Sequence, residues 1–181
     1  MNKKIIILSV LLSGALWASS NAGPYIDLGY GVSNYSDSNY YKQIKSTNIG
    51  AYNISIGAYI NRYLAVEIEY FKTGTFNAKQ IDGTSSSFDY AAITVNTAAH
   101  YYVYKNHIDL HVKFGMGQAY TNLSSSNGSA ILYGLGASYI FSSRYSLGLN
   151  YNIDTFSYNS KQRGHFAMNM QYLSLDVKIK F

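Results

Sequence analysis

His100 and His111 are the residues whose type and spacing come nearest to a recognisable chemistry. If Lys105 and Asn106 form a tight turn, Tyr101 faces Leu110, Ala99 faces Val112 and Thr97 faces Phe114. The same register sets His100 opposite His111, and two neighbouring imidazoles can share a borderline metal ion. Two ligands do not complete a site, and Asp109 sits on the strand of His111 but nearer the turn. The expectation is therefore a pair of space-filling histidines, with no bound metal and no cofactor. A second set of residues is charged: Asp27, Glu67, Glu69, Lys113, Asp176, Lys178 and Lys180 all fall within segments that otherwise alternate with apolar residues. Buried charges must be paired or hydrated. That set can serve as a salt-bridge network or as an ion pathway, depending on what surrounds it.

The elements that position these residues follow from a period of two. Eight segments alternate: 25–32, 51–60, 63–71, 90–103, 108–117, 133–141, 145–154 and roughly 166–181. Alternation is the period of a strand with one dry face. With 20 Tyr, 15 Gly and one Pro, the composition suits many paired strands. The connections alternate as well. Those at 33–50, 72–89, 118–132 and 155–165 are long and polar, and those at 61–62, 104–107 and 142–144 are tight. Long loops then share one end of the structure and short turns the other. Three-residue loops at 61–63 and 142–144 pair Ala58 with Val66 and Tyr139 with Leu147, apolar against apolar.

The N-terminus reads as an export signal. "MNKK" is basic, "IIILSVLLSGALW" is apolar, and "SSNA" ends in small residues, so cleavage is expected after Ala22. The chain has no Cys, which excludes a lipoprotein anchor and disulfides. The expected organisation is a signal peptide at 1–22 and one domain at 23–181. Without Lys3 and Lys4, 12 basic residues face 9 acidic ones, too mild an excess to argue for nucleic acid.

Whether the apolar face meets a core or lipid is decided by three features. The polar face carries small residues beside long charged ones, as a narrow filled lumen requires. Aromatic residues gather toward strand ends, as interfacial girdles do. Finally, in "YLSLDVKIKF" a one-residue slip would expose Asp176, Lys178 and Lys180 to lipid together. The apolar face is therefore expected outward. The charged set then fills the lumen as a salt-bridge network, with Glu67, Glu69, Lys113 and Asp176 at its middle and Asp27 paired to Lys178 or Lys180.

"GPYIDLGYG", "YINRYLAVEIEY", "YGLGASYIFSSRYSLGLNYNI" and "YLSLDVKIKF" together resemble the small eight-stranded bacterial outer-membrane β-barrels of the OmpX/Ail, opacity-protein and OmpA-barrel type. The resemblance implies an all-β, antiparallel up-and-down barrel in the outer membrane, with both termini in the periplasm. Leu173, Leu175, Val177, Ile179 and Phe181 resemble the C-terminal signal read by the barrel-assembly machinery. Lipid and lipopolysaccharide are the implied surroundings. Enzymatic small barrels that modify lipid A are not matched: where the deacylase type has a serine, "HFAMN" (165–169) has Ala167.

The loops remain. Tyr40, Tyr41, Lys42 and Lys45 in the first, Phe76 and Lys79 in the second, and Phe156, Tyr158, Lys161 and Arg163 in the fourth combine aromatic and basic side chains. Such sets suit carbohydrate, sulfated glycan or protein surfaces on a host or outside the cell. The functional expectation is a non-catalytic outer-membrane protein of adhesion or envelope-stabilising type. The alternatives are a narrow pore for ions or small solutes and, third, a lipid A-modifying enzyme.

Overall fold

In the computed structural model, residues 23–37, 41–44, 48–80, 83, 85–122, 128–160 and 164–181 are described. The expected signal peptide and its cleavage at Ala22 lie outside them. The barrel wall consists of β1 (Gly23–Asp37), β3 (Ile49–Asn61), β4 (Leu64–Thr73), β7 (Tyr90–Val103), β8 (Ile108–Thr121), β9 (Gly128–Ile140), β10 (Tyr145–Ser160) and β11 (Gly164–Lys180). Each wall strand pairs antiparallel with the next in sequence, and β1 pairs with both β3 and β11 to close the cylinder. Three short strands, β2 (Tyr41–Ile44), β5 (Phe76–Gln80) and β6 (Ser85–Phe88), form a separate sheet in the order β2-β5-β6. Among the described residues no helix is long and apolar enough to cross a membrane, which says nothing against strands that do.

Alternation sorts the side chains, with the apolar ones facing out. Val95 is 55% and Leu175 56% exposed, whereas Glu69 and Asp176 are buried. In water this would leave an apolar belt far larger than a soluble monomer tolerates. In a bilayer it is the lipid-facing surface, edged by outward Tyr30, Tyr101 and Tyr139. A charge placed on it should be costly. Leu175→Arg is expected to destabilise by about 2–4 kcal/mol, and Phe141→Arg at the rim by less than about 1. Equilibrium unfolding from phosphatidylcholine vesicles measures both, and equal costs at the two positions would contradict this placement of the belt.

The three tight turns set the register as expected from the sequence. Tyr101 faces Leu110, Ala58 faces Val66 and Tyr139 faces Leu147. Tyr104, Lys105 and Asn106 all have positive φ, at 48°, 53° and 69°, with Lys105 and Asn106 at the two central positions where a type I′ hairpin demands it, and the His107 N–H closes the turn onto the Tyr104 carbonyl. The expected three-residue loop at 61–63 differs slightly. Asn61 pairs with Leu64, the ladder shifts between Tyr59 and Asn61, and the Asn61 carboxamide accepts from the N–H groups of Tyr63 and Leu64.

The long connections need a larger correction. Most of 33–50, 72–89 and 155–165 is strand. β1 runs on to Asp37, β10 reaches Ser160 and β11 begins at Gly164, so several strands exceed the roughly 9–11 residues a bilayer requires. The first two connections also supply β2, β5 and β6. Above a membrane neither face of a strand needs to be apolar, so the ladder continues where the alternation that advertises it stops.

Candidate functional site in the lumen and at its mouths

The middle of the lumen is locked by one lysine between two glutamates. Glu67 and Glu69 alternate inward from β4, and Lys113 reaches them from β8. Its Nζ lies 2.5 Å from Glu67 Oε1 and 2.8 Å from Glu69 Oε2, with all three side chains buried. Neutral donors complete the coordination of the carboxylates. Tyr25 donates to Glu67 Oε2 at 2.7 Å, Asn96 to Glu67 Oε1 at 3.2 Å and Ser55 to Glu69 Oε2 at 3.3 Å. Two carboxylates around one ammonium leave an excess negative charge, which these donors disperse.

Asp176 lies in the lumen within electrostatic reach of Glu69, as expected, but Lys113 does not hold it. It accepts from Ser174 and, at 3.3 Å, from Asn53, and among the described residues no lysine is within ion-pair distance of it. The reason is the stagger of a closed barrel: Asp176 lies beside Gly29 of β1, whereas Lys113 lies beside Ala98 of β7. At the barrel closure Asp27 faces Lys178 in register, and their charged groups approach to 3.5 Å. Lys180 does not share that aspartate. Its Nζ sits 4.2 Å from the centre of the Tyr59 ring.

The lumen is filled down to its glycines. A Cβ on Gly115 would lie 1.7 Å from the Asn96 carboxamide oxygen, and one on Gly57 would lie 2.5 Å from the Tyr25 ring. Tyr25, Asn53, Asn96 and Tyr172 do much of this filling, and the sequence reading did not single them out. Their signal was parity, since Tyr25 alternates in phase with Asp27 and Tyr172 with Asp176.

Toward the short-turn end, His100 and His111 face each other in register, with ring centres 5.5 Å apart. The structure brings Asp109 to them: His100 Nδ1 lies 2.9 Å from Asp109 Oδ2. His111 Nε2 lies 2.7 Å from Asn150 Oδ1. A cleft lined by Tyr59, Asp109, Ser142, Arg144, Ser146 and Lys180 opens beside them.

Toward the long-loop end a buried apolar cluster fills the lumen. Phe76 and Phe88 face each other across β5 and β6 and stack with ring centres 5.3 Å apart. Tyr35 of β1 meets the Phe88 ring edge-on at 4.9 Å. This group packs with Phe71, Tyr90, Phe156, Met168, Met170 and Tyr172 as one buried cluster. Two of the expected loop contact residues are thereby corrected: Phe76 is 0% and Phe156 3% exposed, so neither can touch an external ligand. An aromatic side chain on an inward position of a strand beyond the membrane goes where it can leave water, and here that is the mouth of the lumen.

Of the other loop candidates, Lys79 is partly exposed on β5. Tyr40, Lys45, Lys161 and Arg163 lie outside the described residues, as do the side chains of Tyr41, Lys42 and Tyr158. The backbone alone is informative for two of these. β2 pairs with β5 so that Tyr41 faces Gln80 and Gln43 faces Lys79, which joins the first and second connections into one sheet.

A family model described as the outer membrane protein beta-barrel domain matches residues 5–181. The chain is also similar to several solved structures. Neisserial surface protein A shares 17% identity at a TM-score of 0.65, over 88% of this chain and 99% of that one. The outer membrane protein AlkL, solved in lipid bilayers, shares 14% at 0.55, over 91% and 92%. Ail, the attachment invasion locus protein of Yersinia pestis, in complex with the heparin analogue sucrose octasulfate, shares 13% at 0.50, over 87% and 99%. At these identities the likeness is one of fold. No curated protein sequence matches the chain.

Proposed function

The chain belongs to the outer-membrane β-barrel family, and from that premise we propose that it works as a sealed barrel presenting a binding surface at its long-loop end, without covalent chemistry. The observation that carries this reading is the doubly closed lumen: the Phe76–Phe88 cap lies over one end of it, and the Glu67–Lys113–Glu69 lock holds its middle. Among the described residues one mouth and the middle of the lumen are filled, so the surface proposed for binding is the exterior.

The long-loop end faces outward from the cell in this reading, and both termini face the periplasm. Leu173, Leu175 and Val177 point to lipid on the closing strand, an arrangement suited to the barrel-assembly machinery. The joined β2–β5 surface carries Lys79 beside the segment of Tyr41 and Lys42. Lysines and tyrosines on two paired strands are residue types that suit a sulfated or acidic glycan, the chemistry of the heparin analogue held by Ail.

Immobilised heparin and extracellular-matrix proteins are the probes. The wild-type barrel is expected to bind saturably, and Lys42→Gln with Lys79→Gln to weaken binding by at least about tenfold, since a charge-assisted contact contributes about 1.5–3 kcal/mol. Point substitution is preferable to shortening the second loop, because shortening would also remove Phe76 from the cap. Equal binding by both forms would move the site elsewhere. Absence of binding by a folded wild-type barrel would favour an envelope-stabilising role.

A further inference from the structure

We propose that His100, Asp109 and His111 form a binding site for one divalent transition-metal ion of the zinc type, at the short-turn end of the lumen. All three residues are buried, and each offers a ligand atom within 4.8 Å of the others. The three come from two strands whose hairpin register places them side by side on the inward face.

Hydrogen-bond accounting shows what the cluster lacks. His100 Nδ1 lies against both oxygens of Asp109, at 2.9 and 3.0 Å, so it carries the proton and donates it. In the neutral ring its Nε2 is then a lone pair, buried and without a hydrogen-bond partner among the described residues. His111 Nε2 donates to the Asn150 carboxamide oxygen, which leaves Nδ1 as a second buried lone pair without a partner among the described residues. An unanswered buried acceptor is destabilising. Water could donate to both nitrogens, but it would not answer the carboxylate charge buried beside them. A metal cation answers the Asp109 carboxylate and His111 Nδ1 together with His100 by taking the place of the proton on His100 Nδ1, the ring nitrogen that faces Asp109, and His100 Nε2 then carries the ring proton.

The donor set selects the kind of ion. Two imidazoles and one carboxylate suit zinc, copper(II) or nickel, whereas magnesium and calcium prefer oxygen alone. Zinc–nitrogen bonds of about 2.0–2.1 Å place ligand atoms roughly 3.3 Å apart. The cluster must therefore contract by about 1.5 Å, within reach of side-chain rotation.

The surrounding charges are mostly spoken for. Lys178 faces Asp27, and Lys113 is held by Glu67 and Glu69. Arg144 and Lys180 line the cleft that leads to Asp109 and oppose a cation on its way in. Micromolar rather than nanomolar affinity is the expectation.

The test is calorimetric titration of zinc into the untagged, refolded full barrel. One ion per barrel is expected. His100→Gln, Asp109→Asn and His111→Gln should each weaken binding at least tenfold. His107→Gln and His165→Gln, the other two histidines of the chain, should leave it unchanged. Magnesium should not saturate the site. Loss of saturable zinc binding by the wild type, or its persistence in folded His111→Gln, overturns the proposal. An independent reading needs no variant: the paramagnetic resonance spectrum of bound copper(II) should show splitting from two nitrogens, and a spectrum with one or none would overturn it equally.

Discussion

Lys113→Met should destabilise the barrel by about 3–5 kcal/mol, the cost of removing one partner from a buried ion pair. The ammonium at 2.5 and 2.8 Å is the only cation within ion-pair distance of Glu67 and Glu69 among the described residues. Met keeps most of the volume, so cavity formation adds little, and the loss is that of two like charges left facing each other in a narrow lumen. Tyr25, Asn96 and Ser55 still donate, but neutral donors do not cancel charge. The control is the triple variant Lys113→Met, Glu67→Gln, Glu69→Gln, which should recover most of the loss, because a neutral network of similar shape has no unpaired charge to solvate. Denaturant unfolding from vesicles, followed by tryptophan-independent circular dichroism, compares the three forms. A single variant as stable as the wild type would mean that water reaches these carboxylates and that the lock is open in solution.

The second large effect is expected at the cap. Phe76→Ala removes a wholly buried ring stacked on Phe88, and such truncations cost about 3–5 kcal/mol where the surroundings cannot collapse. Part of that cost will be local, because β5 and β6 pair with each other and β2 rather than with the wall. The wall strands should therefore keep their protection in hydrogen exchange while β5 and β6 lose theirs. The same variant tests the sealed lumen. In planar bilayers the wild type should show no large, steady conductance, and Phe76→Ala alone should remain closed at the lock below. Combined with Lys113→Ala, which removes the side chain that fills the gap between the glutamates, it should show intermittent openings. Steady conductance by the wild type would support the conduit reading instead.

These two sites were unequally legible. Glu67, Glu69 and Lys113 could be assigned inward because their neighbours in sequence are Val66, Ile68, Val112 and Phe114, and in a strand the next residue faces the other way. Asp27 and Lys178 could be matched because the first and last strands of a barrel must meet. Phe76 and Phe156 were misread as loop residues for a different reason. Along 151–158 the apolar phase inverts, from Tyr151 and Ile153 to Phe156 and Tyr158, and Phe76 stands among Thr75, Asn77 and Lys79, so neither stretch continues the membrane pattern. Asp109 was legible as an inward residue but not as a partner of His100, since that contact is a diagonal one, set by strand twist and side-chain reach.

The sequence by itself determined what local pattern can determine: the number of membrane strands, the register of the three short hairpins, and the face that meets lipid. Each of these is decided by residues close in the chain, through period-two alternation and the few backbone shapes a tight turn allows. The tertiary structure alone decided which groups meet across the lumen and what becomes of the long connections. Closing eight strands with a stagger brings Lys113 to two glutamates while leaving Asp176 to Ser174 and Asn53, and it leaves an open apolar mouth that Phe76 and Phe88 fill. Such meetings depend on strands far apart in sequence, and no period along a single strand records them.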